Sequence, residues 1–233
     1  MKFTTHPILK GPTPEEIKKL CFNDDGSTKP EGLKALVEIH RQHEDAVANA
    51  DADPLNFGVS LESWSYADDM LDKYDTLMIF GGNRSSKTEY GARSVVKAAL
   101  KNPKSIIVCF AQDADASIRT QQAAVYRYLP PEFKVKTKGV LEYLNYTVKN
   151  GFTGQSFILP NGSQVLFHTY SQFIANRSKF EGLELGSKTP EWHNIGLWPD
   201  EYLEDGDLIR TMRFRLATRD AKMMLTFTPI DGY

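Results

Sequence analysis

Two cysteines among 233 residues, Cys21 and Cys109, are too few for a disulfide framework and suit a reducing compartment. The chain has no apolar run long enough to cross a bilayer and no charged-then-apolar leader, so no membrane span or secretory signal is expected. Nor is there an excess of basic charge. A net charge of −2 excludes a protein that simply coats nucleic acid, so any contact with DNA has to come from a local patch or another component. Internal repeats and low-complexity segments are also missing. What remains, 41% hydrophobic and 25% charged residues, is an ordinary globular composition, long enough for one large α/β domain or a domain with a small appendage.

Residues 1–60 read as a helical appendage with loops. Thr13 opens a capping box, with Pro14 at the first helical position and Glu16 three residues beyond the cap. Leu33, Leu36, Val37 and His40 fall at helical spacing and predict a second amphipathic helix, and NADADPLNFG predicts a linker. Trp64, Ala67, Leu71 and Tyr74 predict a third helix. From Thr76 onward strand and helix signals alternate. TLMIF, SIIVCFA, NIGLW and KMMLTFT are short apolar runs expected as buried strands. Lys87–Lys101, with Ala92, Val95, Val96 and Ala99 on one face, is expected to be helical. So are residues 117–129, stopped by Pro130 and Pro131, and the arginine-rich residues 207–220. QSFILPNGSQVLF predicts a β-hairpin in which Asn161 and Gly162 take the positive φ angles of a tight turn. Such alternation predicts a mostly parallel sheet flanked by helices over residues 61–233.

FGGNRSSKTEYGARSVV lies between the first of these strands and the helix after it. Phosphate oxygens need several backbone N–H donors and a cation, which a glycine-rich turn opening a helix supplies. The usual form is G-x-x-x-x-G-K-[ST]. Gly81 fills the first glycine, Lys87 the lysine and Thr88 the hydroxyl, while Ser86 stands in the second glycine's place. Gly81, Gly82, Asn83, Arg84, Ser85, Ser86, Lys87 and Thr88 are thus the expected nucleotide-binding residues. Lys87 is expected to reach the β- and γ-phosphates, and Thr88 to ligate Mg²⁺. Ser86 costs little if its backbone stays near the helical region. If a positive φ is required, serine costs about 1 kcal/mol over glycine. A metal carboxylate and a water-polarising base are also needed. NIGLWPDEYLEDGD offers both: Asp200 for Mg²⁺ and Glu201 for water, or else an acidic loop extended by Glu204, Asp205 and Asp207. Pro199 removes a ladder donor at that strand's end.

Taken in order, these segments resemble the large (motor) subunit of tailed-phage DNA-packaging terminases. FGGNRSSKTEYGARSVV is similar to its Walker A segment, and DADASIRTQQAAVYRYLP to the segment after the next strand. FILPNGSQVLFHTYSQ resembles its hairpin, KFEGLELG the stretch before Walker B, GLWPDEY Walker B itself, and MLTFTPIDGY the coupling motif. The likeness covers about residues 60–233. It implies an additional-strand P-loop NTPase fold, hydrolysing ATP with Mg²⁺ in the host cytoplasm to drive double-stranded DNA into a procapsid. The implied partners are a portal protein, a small terminase subunit and further copies in a ring. The family's C-terminal nuclease domain is expected to lie outside this chain, which reads as an isolated ATPase domain or else as a protein that lacks the nuclease, the first being favoured.

Further roles are implied by the resemblance. Arg84 is similar to an arginine the family carries in the loop and is expected to act in cis. Arg177, in FIANRSKFEG, is expected to reach a neighbouring subunit's γ-phosphate, or else to pair on the surface with Glu181 or Glu184. Arg215 is a further candidate, or part of a solvated face with Arg210 and Arg219. Thr226 and Thr228 are expected to sense the γ-phosphate and relay its loss. Trp64 and Tyr66 either stack on adenine or belong to the core. His40 and His43 read as helix residues rather than ligands, because no acidic or cysteine partner completes a site. Lys134, Lys136 and Lys138 either touch DNA phosphates or are solvated. Two other readings compete with the motor: a helicase-like translocase, and an assembly module that docks on a portal and hydrolyses little.

Overall fold

The computed structural model describes residues 3–4, 11–134, 144–201 and 206–229. The chain divides into two compact units, Met1–Ser65 and Tyr66–Tyr233.

In the first unit, helix α1 (Pro14–Cys21) follows strand β1 (Phe3–Thr4) and starts as its capping box dictates. The Thr13 hydroxyl accepts from the Glu16 N–H at 3.3 Å, and the Glu16 carboxylate accepts from the Thr13 N–H at 2.8 Å. Helix α2 (Pro30–Ala52) is longer than the periodicity suggests and consumes the first half of the expected linker. The second half holds a short helix, α3 (Pro54–Phe57), capped by the Asp53 carboxylate on the Asn56 N–H, with Pro54 at its first position. Strand β2 (Ser60–Leu61) pairs antiparallel with β1. His40 pairs with Glu44 at 3.3 Å on the exposed side of α2. Helix α4 (Glu62–Lys73) spans the boundary between the units.

The second unit is a mixed α/β structure around a six-stranded sheet. Its elements are strand β3 (Thr76–Phe80), helix α5 (Lys87–Lys101), strand β4 (Ile106–Ala111), and a helix of three parts. Those parts are α6 (Ala114–Ala116), a π-helical stretch (Ser117–Gln122) and α7 (Ala123–Tyr128). Pro130 ends this helix as expected, but Pro131 starts another, α8 (Pro131–Lys134). A small ladder, β5 (Tyr146–Thr147) with β6 (Gly151–Phe152), precedes the hairpin strands β7 (Ser156–Ile158) and β8 (Gln164–Thr169). Helices α9 (Tyr170–Ala175) and α10 (Ser178–Glu181), strand β9 (Ile195–Pro199), helix α11 (Asp207–Ala217) and strand β10 (Lys222–Phe227) complete it.

The strand order is β3-β10-β9-β4-β8-β7, parallel throughout except for β7 against β8. Because side chains alternate across a strand, β9 serves both faces. Leu197 joins Val108, Phe110, Met212, Leu216 and Leu225 in the core beneath α11, whereas Trp198 faces α5. Pro199 does not interrupt the ladder: it pairs in register with Phe110, and the next N–H, of Asp200, donates to the Phe110 carbonyl at 2.8 Å.

The β7–β8 turn departs from expectation. Only Gly162 has a positive φ, +82°, and its N–H donates to the Leu159 carbonyl at 2.8 Å. Asn161 instead turns its side-chain amide to the carbonyls of Ala99 and Leu100, at 2.8 and 3.1 Å, satisfying the C-terminal end of α5. Among the described residues no helix is long and apolar enough to cross a membrane.

Candidate functional site

The loop between β3 and α5 folds back on its own lysine. Lys87, 7% exposed, donates from Nζ to the carbonyls of Gly81 at 2.7 Å and Gly82 at 3.0 Å and to Ser85 Oγ at 3.3 Å. The loop's first N–H, of Gly81, donates to the Phe227 carbonyl at 3.2 Å, tying it to β10. Arg84 and Ser86 both lie in the left-handed region, at φ +62° and +64°. The benign case for Ser86, a helical backbone, is therefore not the one the chain adopts. The serine carries the left-handed cost of about 1 kcal/mol, and its side chain makes no capping hydrogen bond to α5.

At the end of β9, two carboxylates face this loop. Asp200 is 3% exposed. Its Oδ2 accepts from the Thr88 hydroxyl at 3.1 Å across 112 residues of sequence, and its Oδ1 from the Thr226 hydroxyl at 2.5 Å. The Tyr170 hydroxyl donates to the Asp200 carbonyl at 3.1 Å. Burial raises the Asp200 pKa to about 6, helped by the charge of Glu201 and opposed by the Thr226 and Thr88 hydrogen bonds and by Lys87. Burial and the neighbouring Asp200 also push the Cys109 thiol up, which keeps it protonated and inert. Glu201, at φ +64°, donates its N–H to the Thr226 carbonyl at 2.7 Å. Its carboxylate accepts the N–H and hydroxyl of Thr228, at 3.3 and 2.9 Å. A cavity of about 340 Å³ opens among residues 83–88, Glu89, Glu201 and Thr228.

The fold therefore brings together Arg84, Ser86, Lys87, Thr88, Asp200, Glu201, Thr226 and Thr228 from three elements far apart in sequence. Arg177 does not line this cavity. It sits before α10 and pairs with Asp207 at 2.8 Å, at the start of α11, rather than with Glu181 or Glu184. Glu184 is taken by Arg219 at 2.8 Å, and Arg219 also donates to the Gly186 carbonyl, so it is no solvated residue. Arg215 is half-buried and also away from the cavity. Trp64 is buried and Tyr66 is exposed. Lys134 donates to the Arg127 carbonyl at 2.7 Å. Lys136, Lys138, Glu204, Asp205 and residues 230–233 lie outside the described residues.

One residue at the site lies within the Walker B-like GLWPDEY but has no role that the sequence assigns. Trp198 donates its indole N–H to Thr226 Oγ1 at 2.9 Å. Within that segment its signal is a spacing of two from Asp200, just past the end of β9, which puts both side chains on one side of the extended chain.

A family model described as the terminase large subunit, T4likevirus-type, N-terminal, matches residues 78–230. The chain belongs to this terminase family. The match takes in the loop, both carboxylates and both threonines, so the site lies wholly within the terminase region. Membership ties the chain to the motor subunit that packages phage genomes. No curated protein matches the terminase chain closely enough to count as a relative.

Proposed function

We propose that this chain is the ATPase motor domain of a terminase large subunit, driving double-stranded DNA into a procapsid at the expense of ATP. The observation that carries the reading is the bond between Thr88 at the loop and Asp200 at the end of β9. It joins a phosphate-type loop to a carboxylate pair, the two halves a phosphoryl-transfer site requires. The sheet supports an additional-strand P-loop assignment, since β10 lies between loop-bearing β3 and carboxylate-bearing β9.

The donor set fits Mg²⁺ and a nucleotide. Thr88 and Asp200 offer the hard oxygen ligands that Mg²⁺ takes, few in number because the ion keeps waters and phosphate oxygens. Bound ATP with Mg²⁺ supplies an electrophilic γ-phosphorus with its charge partly neutralised. Lys87 provides the buried cation beside the cavity, where phosphate oxygens replace the carbonyls it now contacts. The N-terminus of α5 adds its dipole. Glu201 orients the attacking water and accepts its proton. Arg84 neutralises transition-state charge from within the loop. Arg177, away from its own cavity, is offered to the next copy in a ring. Thr226 and Thr228 link the carboxylates to the end of β10 and so to movement. The proposed partners are duplex DNA, the portal, the small subunit and further copies, in the host cytoplasm. Residues 1–60 are read as a helical appendage, and residues 61–233 as the ATPase domain.

The test is Mg²⁺-dependent ATP hydrolysis per protomer as protein concentration rises, with Lys87→Ala as the blank. A rate that climbs with concentration is expected from a site completed by Arg177 of a neighbour, and a flat rate from a site complete with Arg84. No turnover above the blank at any concentration rejects a self-sufficient ATPase and favours a portal-docking assembly module.

A further inference from the structure

We infer that Trp198 is a positioning residue: its indole N–H fixes the direction of the Thr226 hydroxyl, so that this hydroxyl donates to Asp200 and leaves the carboxylate aimed at the cation. The inference rests on the reading of Asp200 as the cation-holding carboxylate. It follows from the hydrogen-bond inventory. An indole N–H can only donate, and a threonine hydroxyl has one proton. Thr226 Oγ1 lies 2.9 Å from Trp198 Nε1 and 2.5 Å from Asp200 Oδ1. Having accepted from the indole, the hydroxyl sends its own proton to Asp200. Thr88 likewise donates to the other carboxylate oxygen, at 3.1 Å. A carboxylate offers about four acceptor sites, so these two donors occupy one site on each oxygen and leave the remainder for an incoming cation and its waters.

The seat for the indole is built in. Trp198 is fully buried, and a Cβ at Gly91 would lie 2.3 Å from its Cε2 and Cζ2 atoms. Gly91 lies on α5, the helix that starts with Lys87 and Thr88, so the notch sets the indole between the loop's helix and the carboxylate. A merely space-filling aromatic needs no donor, and Thr226 needs no partner on that side to complete a strand. The directed pair of bonds is what the packing alone does not demand.

The test uses the whole chain with Mg²⁺ and ADP as the probe. Nucleotide affinity is measured by titration calorimetry over a range of Mg²⁺ concentrations for wild type, Trp198→Phe, Thr226→Val and the double variant. Thermal melts record the packing loss separately. The Mg²⁺ concentration for half-maximal binding is expected to rise about 10-fold in each single variant, the scale of lost outer-sphere support. The double variant is expected to show no further rise, because both changes break one relay. A Mg²⁺ dependence within about twofold of wild type in Trp198→Phe, or fully additive effects in the double variant, overturns the inference. Wild type that binds no ADP with Mg²⁺ instead rejects the nucleotide reading. A second readout covers that case and any failure of Trp198→Phe to fold. With three tryptophans in the chain, the ¹⁵N-indole spectrum of the ligand-free protein is expected to hold three signals. One is expected to shift in both Thr226→Val and Asp200→Asn. A spectrum unmoved by both overturns the relay without reference to nucleotide.

Discussion

Thr228 grips the Glu201 carboxylate with two donors, its hydroxyl on Oε1 at 2.9 Å and its N–H on Oε2 at 3.3 Å. The proposed base is therefore oriented by the residue just beyond β10, not left to swing from a loop. Thr228→Val keeps the shape and the N–H but loses the hydroxyl. The expected result is a fall in kcat of about 10-fold with the KM for ATP nearly unchanged, as for loss of one orienting bond to a general base. Thr228→Ser restores most of the rate. A KM effect without a kcat effect would place Thr228 on the nucleotide instead.

Glu201→Gln keeps the side chain's size and removes its basicity. Turnover is expected to drop by at least about 100-fold, within the range for loss of a general base. Binding of ADP with Mg²⁺, measured by calorimetry, is expected to stay within about threefold of wild type, because Asp200 and Thr88 are the proposed cation ligands.

Ser86 stands at φ +64° and makes no side-chain cap, so glycine removes a backbone penalty and loses no hydrogen bond to α5. Ser86→Gly is expected to stabilise the chain by about 1 kcal/mol, partly offset by the greater freedom of glycine when unfolded. For a chain of this size that is a rise in Tm of about 2–4 °C. An unchanged or lower Tm counts against the strained loop.

The buried Asp200 gives stability a definite pH dependence. Its folded pKa is about 6, above its ordinary value of 3.8. The folded chain therefore holds a proton between those values that the unfolded chain has lost, and the contribution to stability falls as pH rises through that window. His168 and His193, lowered by burial, act in the opposite sense as pH falls below the ordinary histidine range. Comparison with Asp200→Asn cancels them. In divalent-free buffer the Tm of Asp200→Asn, relative to wild type, is expected to climb from pH 4.5 to pH 7. A constant difference would show that Asp200 is ionised throughout.

Much of this was legible in the residues. The spacing from Gly81 to Thr88 marked the loop, alternating apolar runs marked the strands of the sheet, and Thr13, Pro14 and Glu16 marked the start of α1. What escaped was set by longer-range or finer geometry. Spacing does not fix φ, so Ser86 left two options open. Asn161 was read through the turn it occupies, while its amide is drawn to helix carbonyls some 60 residues earlier. The expected linker became helical because Asp53 and Pro54 together start a helix. Arg177 lies near Glu181 and Glu184 in sequence, yet it pairs with Asp207, 30 residues on. Trp198 was hidden because an apolar run does not reveal which of its members carries a directed hydrogen bond.

The position of β10 has a consequence for timing. Thr226 and Thr228 are separated only by Phe227, and the Thr226 carbonyl also takes the Glu201 N–H. Every one of these supports rests on a single short length of chain, bonded to β3 on one flank and β9 on the other. Asp200 and Glu201 thus share one mount. A displacement of this end of β10 moves supports of both, so the proposed grip on a cation and the proposed readiness of the water are expected to change in step. On the proposed reading, both carboxylates are therefore expected to engage and disengage as one event.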